Sequence, residues 1–219
     1  MTKQELQPPS FVIAAALAGH LYRMTLTAKL MLISASNAKG VAARIGGKAL
    51  GFRPITDFIV EMANNTIAYA NKINQLALSV SRISVVSMRA TDAQQRFGKA
   101  QQLLSGTTQT TFIDQLIQTS RDAQHDMELE INSIIAILKL QLDEVHQCVR
   151  GSTIVISNSR TEASRAGEFR PYLDSIADNV ELATDELRRE IVECRILIDK
   201  LTILLTPAKS KNKLDTRAS

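Results

Sequence analysis

The stretch LDSIADNVELATDELRREIVECRILIDKLTILL, residues 173–205, decides the fold class. Leu173, Ile176, Val180, Ala183, Leu187, Ile191, Cys194, Ile198, Leu201 and Leu205 recur at steps of three and four. That spacing places them on one stripe of an α-helix and matches the seam of a coiled coil; a half-buried strand would alternate every second residue. Charged residues are interspersed among the other positions, as on a solvated helix face.

Three further segments repeat the pattern. One runs through Ile113, Leu116, Ser120, Ala123, Met127, Ile131, Ile134, Leu138, Leu142, Val145, Val149 and Ser152. Another runs through Ile55, Ile59, Met62, Thr66, Tyr69, Ile73, Leu76, Val80, Ile83, Ser87 and Ala90. The first follows Ile13, Leu17, Leu21, Met24, Ala28 and Met31. Gly46, Gly47 and Gly51 mark one break, with Pro54 where a first helical turn tolerates it. Gly167 and Pro171 bracket a second. Ser105-Gly106-Thr107-Thr108 mark a third, with Thr110 or Thr111 as the N-cap of the next helix. Helices are thus expected over 10–45, 54–104, 112–165 and 171–205. At 1.5 Å per residue the inner pair would be roughly 75 Å long and the outer pair roughly 53 Å. Short connections make consecutive helices antiparallel neighbours. The expectation is an all-α, elongated antiparallel four-helix bundle. It would be a single domain of two tandem hairpins, about 10–104 and 112–205, with a flexible basic tail over 206–219.

Composition agrees. Aromatics make up 4% of the chain, Trp is absent, and of five prolines only Pro54 and Pro171 lie between the tails. A proline inside a helix removes a hydrogen bond and clashes with the preceding turn, so this distribution suits long helices. The net charge of +4 is spread among interleaved acids and bases, which reads as a solvated surface. Nucleic-acid binding is not expected, because the aromatic stacking residues of a single-strand binder are missing. Cys148 and Cys194 read as reduced seam thiols of a cytoplasmic protein. His20, His125 and His146 lack the helical partners a metal site needs, so no metal or cofactor is expected. The apolar stretch Phe11–Ala18 is shorter than a bilayer span and follows no basic leader, so membrane insertion is not expected. No catalytic dyad or phosphate loop is visible, and the chain reads as a non-enzyme.

The two breaks expected at the same end have matching sequences. ISASNAKGVAARIGGKALGFRPITDFI (33–59) aligns with IVISNSRTEASRAGEFRPYLDSI (154–176). Setting Asn37 on Asn158 places Ile33 on Ile154, Ala42 on Ala163, Arg44 on Arg165 and Gly46 on Gly167. Removing four residues from the second turn brings Phe52-Arg53-Pro54 onto Phe169-Arg170-Pro171, and Asp57 onto Asp174. Agreement on both sides of a turn points to a duplicated helical hairpin.

The spacing of Asn37, Arg44, Gly46, Gly51 and Phe52 resembles the hairpin tip of the cytoplasmic signalling domain of methyl-accepting chemotaxis receptors. The second repeat keeps Asn158, Glu162, Arg165, Gly167 and Glu168. In that family two hairpins from two chains form a four-helix bundle whose tips bind a histidine kinase and its coupling adaptor, within a receptor array. The resemblance therefore implies a single-chain mimic of a receptor dimer. It assigns protein recognition to Asn37, Arg44, Phe52, Arg53, Asn158, Glu162, Arg165, Glu168, Phe169 and Arg170, with arginines as hydrogen-bonding cations and phenylalanines as anchors. The chain departs from the family pattern at Val41 and Gly47, where glutamates are usual, and at Lys29 and Arg150, which occupy an apolar trimer-contact position. Those departures fit a second reading, a helical scaffold or regulator without kinase coupling. Equivalent hairpins also permit a homo-oligomer that exchanges them between chains.

Overall fold

The structure, a computed structural model, describes residues 9–46, 51–103 and 110–205. Over these residues the chain is all-α: α1 (Ser10–Ile45), α2 (Phe52–Leu103), α3 (Thr110–Arg150), α4 (Ser152–Ser164), a single 3-10 turn (Gly167–Phe169) and α5 (Arg170–Leu205). Gly47, the Ser105–Thr108 turn, the side chains of Thr110 and Thr111, and the tail 206–219 lie outside the described residues.

The helix expected over 112–165 is divided at Gly151. Phe58 of α2 lies beside this point: a Cβ at Gly151 would lie 3.0 Å from its Cζ. Gly151 itself keeps right-handed helical angles, φ −64° and ψ −19°, and Ser152 Oγ donates to the Val149 carbonyl at 2.6 Å. α3 and α4 are therefore one helical path with a local irregularity at a glycine that leaves room for a ring of α2.

Cross-helix contacts fix the directions. Lys39 Nζ lies 2.7 Å from Asp57 Oδ1, so α1 and α2 turn back on one another. Gln124 bonds Thr91 and Gln101 bonds Asp114, which sets α3 antiparallel to α2. Arg195 meets Asp143 at 2.5 Å and Lys139 meets Asp199 at 2.9 Å, while Arg160 meets Asp178 at 3.0 Å, so α5 runs against α3 and α4. α5 also packs on α1 and runs against it: His20 and Arg23 reach Glu190 and Met24 touches Cys194, while nearer the turns Ala38 clusters with Leu173 and Ile176. These pairs mark register; exposed ion pairs add roughly 0–1 kcal/mol each.

The seam residues form the core. In α1, Ile13, Leu17, Leu21, Met24, Ala28 and Met31 are all buried. In α5, every seam position from Leu173 to Leu201 is buried except Ala183, which is half-buried. The pattern fades in one region. No described side chain between Ser84 and Ile131 is buried, and Ala123 is exposed. Here α2 and α3 run past the ends of α1 and α5: Leu204 and Leu205 border the same cleft as Ser84, Ser87, Glu128 and Ile131. Two helices alone leave part of each seam open to solvent.

Candidate functional site

Both repeated turns close on a glycine. Gly46 (φ 67°) and Gly167 (φ 60°) are the positive-φ residues among the described part of the chain. They are the two glycines that the repeat superposes. Left-handed backbone costs an L-residue roughly 1–2 kcal/mol, which is why glycine stands at both. The Gly46 N–H donates to the Ala42 carbonyl and ends α1. In the second turn Arg165, Ala166 and Phe169 each donate three residues back, to Glu162, Ala163 and Ala166. These tight bonds fit the shorter loop of the second repeat.

A small apolar cluster lies beneath the turns. Ala38, Phe52, Ala163, Ala166, Leu173 and Ile176 are buried together, with Val41, Ala42, Ile45 and Phe169 packed against them. The equivalent rings Phe52 and Phe169 thus share one cluster drawn from both hairpins. Phe52 is 1% exposed, so its ring holds the tip together and presents nothing outward. Phe169 is half-buried.

The polar and charged residues singled out by the sequence lie on the surface of this end. Asn37, Arg44, Arg53, Asn158, Arg165, Glu168 and Arg170 are exposed, and Glu162 is half-buried. Arg165 Nη1 donates to Glu162 Oε1 at 3.1 Å, and Arg170 Nε to Asp174 Oδ2 at 3.3 Å. Arg165 therefore has an intramolecular partner, yet its side chain stays 68% exposed and open to a second acceptor. Glu162 also joins the hairpins. A Cβ at Gly51 would fall 2.3 Å from Glu162 Oε2, so the carboxylate of the second hairpin rests on bare backbone of the first. The repeat places Val41 opposite Glu162, so this contact has no mirror image.

Shallow grooves flank the tip. One, of about 430 Å³, is lined by Lys39, Gly46, Arg53, Thr56 and Asp57 between α1 and α2. Another, of about 550 Å³, includes Ser157, Arg160, Glu181 and Arg188 between α4 and α5. Lys39 and Arg160 are equivalent in the repeat, and each pairs with acids on its returning helix. Lys39 holds the Asp57 carboxyl below the usual carboxylate range. Asn158 lines a third groove, with Gly51, Phe58 and Glu162, where the hairpins meet. The arrangement offers guanidinium donors on a braced apolar platform. Residues 33–60 and 154–176 contain neither His nor Cys. Among the described residues no group of His, Cys, Asp and Glu could hold a metal.

One cluster escaped the sequence reading. Glu190 is 6% exposed on α5, with Oε2 2.7 Å from His20 Nδ1 and Oε1 accepting from Arg23 Nε at 2.8 Å. Burial pushes this carboxyl up, but bonds and charge from Arg23 and His20 outweigh it and hold it below its ordinary value. Its signal was present: Glu190 falls three residues after Leu187 and four before Cys194, on the seam's shoulder. The cysteines differ in setting. Cys148 is half-buried, while Cys194 is buried and its thiol is pushed up to about 12, chiefly by desolvation. Lys29 and Arg150 are exposed. Comparison of the chain with protein-family models, with curated proteins and with solved structures finds no match.

Proposed function

We propose that this chain is a cytoplasmic, chemoreceptor-like signalling protein. In this reading it is an elongated antiparallel four-helix bundle of two fused hairpins, and it works without catalysis. It acts by protein contact through the tip, on a chemotaxis histidine kinase and its coupling adaptor or on a receptor array. The observation that carries the reading is the paired construction of the tip. Gly46 and Gly167 share a positive φ, Phe52 and Phe169 share one cluster, and Arg44, Arg53, Arg165 and Arg170 stand exposed around them. A turn needs the glycines and the rings for packing alone; it does not need the same arginines twice. Exposed arginines on a rigid apolar base are typical of interface hot spots.

The test is a pull-down of purified receptor kinase and coupling adaptor by the full chain. Retention of either protein supports the proposal. Retention of neither favours the second reading, a helical scaffold or regulator that has lost kinase coupling. The asymmetry of the tip favours that alternative: Glu162 bridges to Gly51, whereas Val41 supplies no matching carboxylate.

A further inference from the structure

The outer face of α1 is apolar, exposed and unmatched by acid. Phe11, Val12, Tyr22, Leu26, Leu30 and Ile33 are each between 44% and 70% exposed. From Val12 to Ile33 these residues, with Ala15, Ala16 and Gly19 between them, follow one stripe at helical spacing. The opposite stripe, Ile13 to Ala38, is buried against the other helices. The helix is therefore apolar on both sides. It is long and apolar enough to cross a bilayer, yet 39% of its most apolar stretch is buried within the protein. Spanning a bilayer would strip that buried stripe from α2 and α5. Lying on the surface of one would not.

Charge identifies the occupant. Over 36 residues α1 carries Arg23, Lys29, Lys39 and Arg44 and no Asp or Glu. Arg23 and Lys29 straddle the apolar stripe about 60° to either side at 100° per residue. Both Arg23 and Lys29 are exposed, although Arg23 is also bonded to Glu190. Long cationic side chains beside an apolar face reach outward to a headgroup plane while their stems lie on apolar surface. A second copy of α1 would bring cation against cation. None of the grooves described above lies on this stripe, which is a ridge suited to a soft apolar layer.

We infer that the outer face of α1 docks on an anionic lipid bilayer, lying in the interface with its apolar stripe inserted among the headgroups. The inference is independent of the tip and of any partner there. The experiment is co-sedimentation of the full chain with phosphatidylcholine vesicles, with and without phosphatidylglycerol. Binding is expected to the phosphatidylglycerol vesicles, to weaken with added salt, and to fall by at least about tenfold in Leu26→Glu/Leu30→Glu. The chain has no Trp, so Leu26→Trp gives a single reporter at an already exposed position. Its emission should shift to the blue with anionic vesicles, whereas Ile154→Trp on α4 should not respond. Three results would overturn the inference: no binding to anionic vesicles, a Leu26→Trp emission that vesicles leave unchanged, or a lipid-free dimer that Leu26→Glu/Leu30→Glu dissociates. The last would assign the face to a second copy.

Discussion

Replacing each turn glycine by alanine isolates the backbone requirement of the tip. Neither Gly46 nor Gly167 has a heavy atom within 4 Å of the added Cβ, so steric collision contributes nothing. What remains is conformation. An L-residue in left-handed backbone costs roughly 1–2 kcal/mol. The restricted unfolded chain returns about 0.4–1 kcal/mol of that. A net loss of about 1 kcal/mol corresponds to roughly 2–4 °C in a chain of this size. At Gly46 the ψ of −135° lies outside the left-handed helical basin, so an L-residue there meets at least that cost. Gly19 and Gly40 supply the opposite sign. Both lie inside α1 with open space around the Cβ position, so alanine there removes only the entropic cost of glycine in a helix, about 0.5–1 kcal/mol. Thermal unfolding followed by circular dichroism should therefore rank Gly40→Ala above the native chain and Gly167→Ala and Gly46→Ala below it. An unchanged or raised midpoint for both turn variants would refute the assignment of these glycines to strained, duplicated turns.

Other consequences follow from the core and its titrating groups. Leu187→Asp or Ile134→Asp puts an unpaired carboxylate on a buried seam and should cost at least about 3 kcal/mol, read as a lowered urea midpoint. Because the Glu190 carboxyl is depressed in the folded state, its contribution is present above the unfolded carboxylate value and disappears as pH falls through the folded one. Melting temperatures measured across the acid range should accordingly fall less steeply in Glu190→Gln than in the native chain. Thiol labelling should modify half-buried Cys148 first and reach Cys194 only as the chain unfolds, since burial holds the Cys194 thiol near 12. Equal labelling rates in the folded protein would contradict the placement of Cys194.

The helices were legible because the seam period is enforced wherever neighbouring helices cover the seam. In α5 the three-four spacing from Leu173 to Leu201 coincides with burial, since α1 lies on one side and α3 with α4 on the other. The same period continues through Ser120 and Ala123, but those positions are not buried. Periodicity states which face would be covered; it does not state whether a neighbour is long enough to cover it. The closeness of Phe58 to Gly151 was invisible because the two residues lie far apart in the chain. The Glu162 carboxylate over Gly51 is likewise a contact between repeats, which alignment of one repeat on the other cannot reveal. The turn glycines were legible for the converse reason: backbone geometry imposed the same residue twice. Among the tip residues the sequence grouped Phe52 with the arginines. Burial separates them, because a ring at the first turn of α2 meets α1, α4 and α5 at once and has no path to the surface.

The central claim, recognition of a partner by the exposed arginines of the tip, is tested most directly by the affinity of Arg44→Ala/Arg165→Ala for purified receptor kinase and coupling adaptor. Both side chains are exposed, and the Arg165–Glu162 pair is a surface pair, so folding stability should change by under about 0.5 kcal/mol. Binding should weaken by about 2 kcal/mol or more, close to thirtyfold in Kd, as for truncation of interface hot spots. An affinity equal to that of the native chain, or a variant that unfolds markedly earlier, would contradict the account and leave the arginines as braces of the turn.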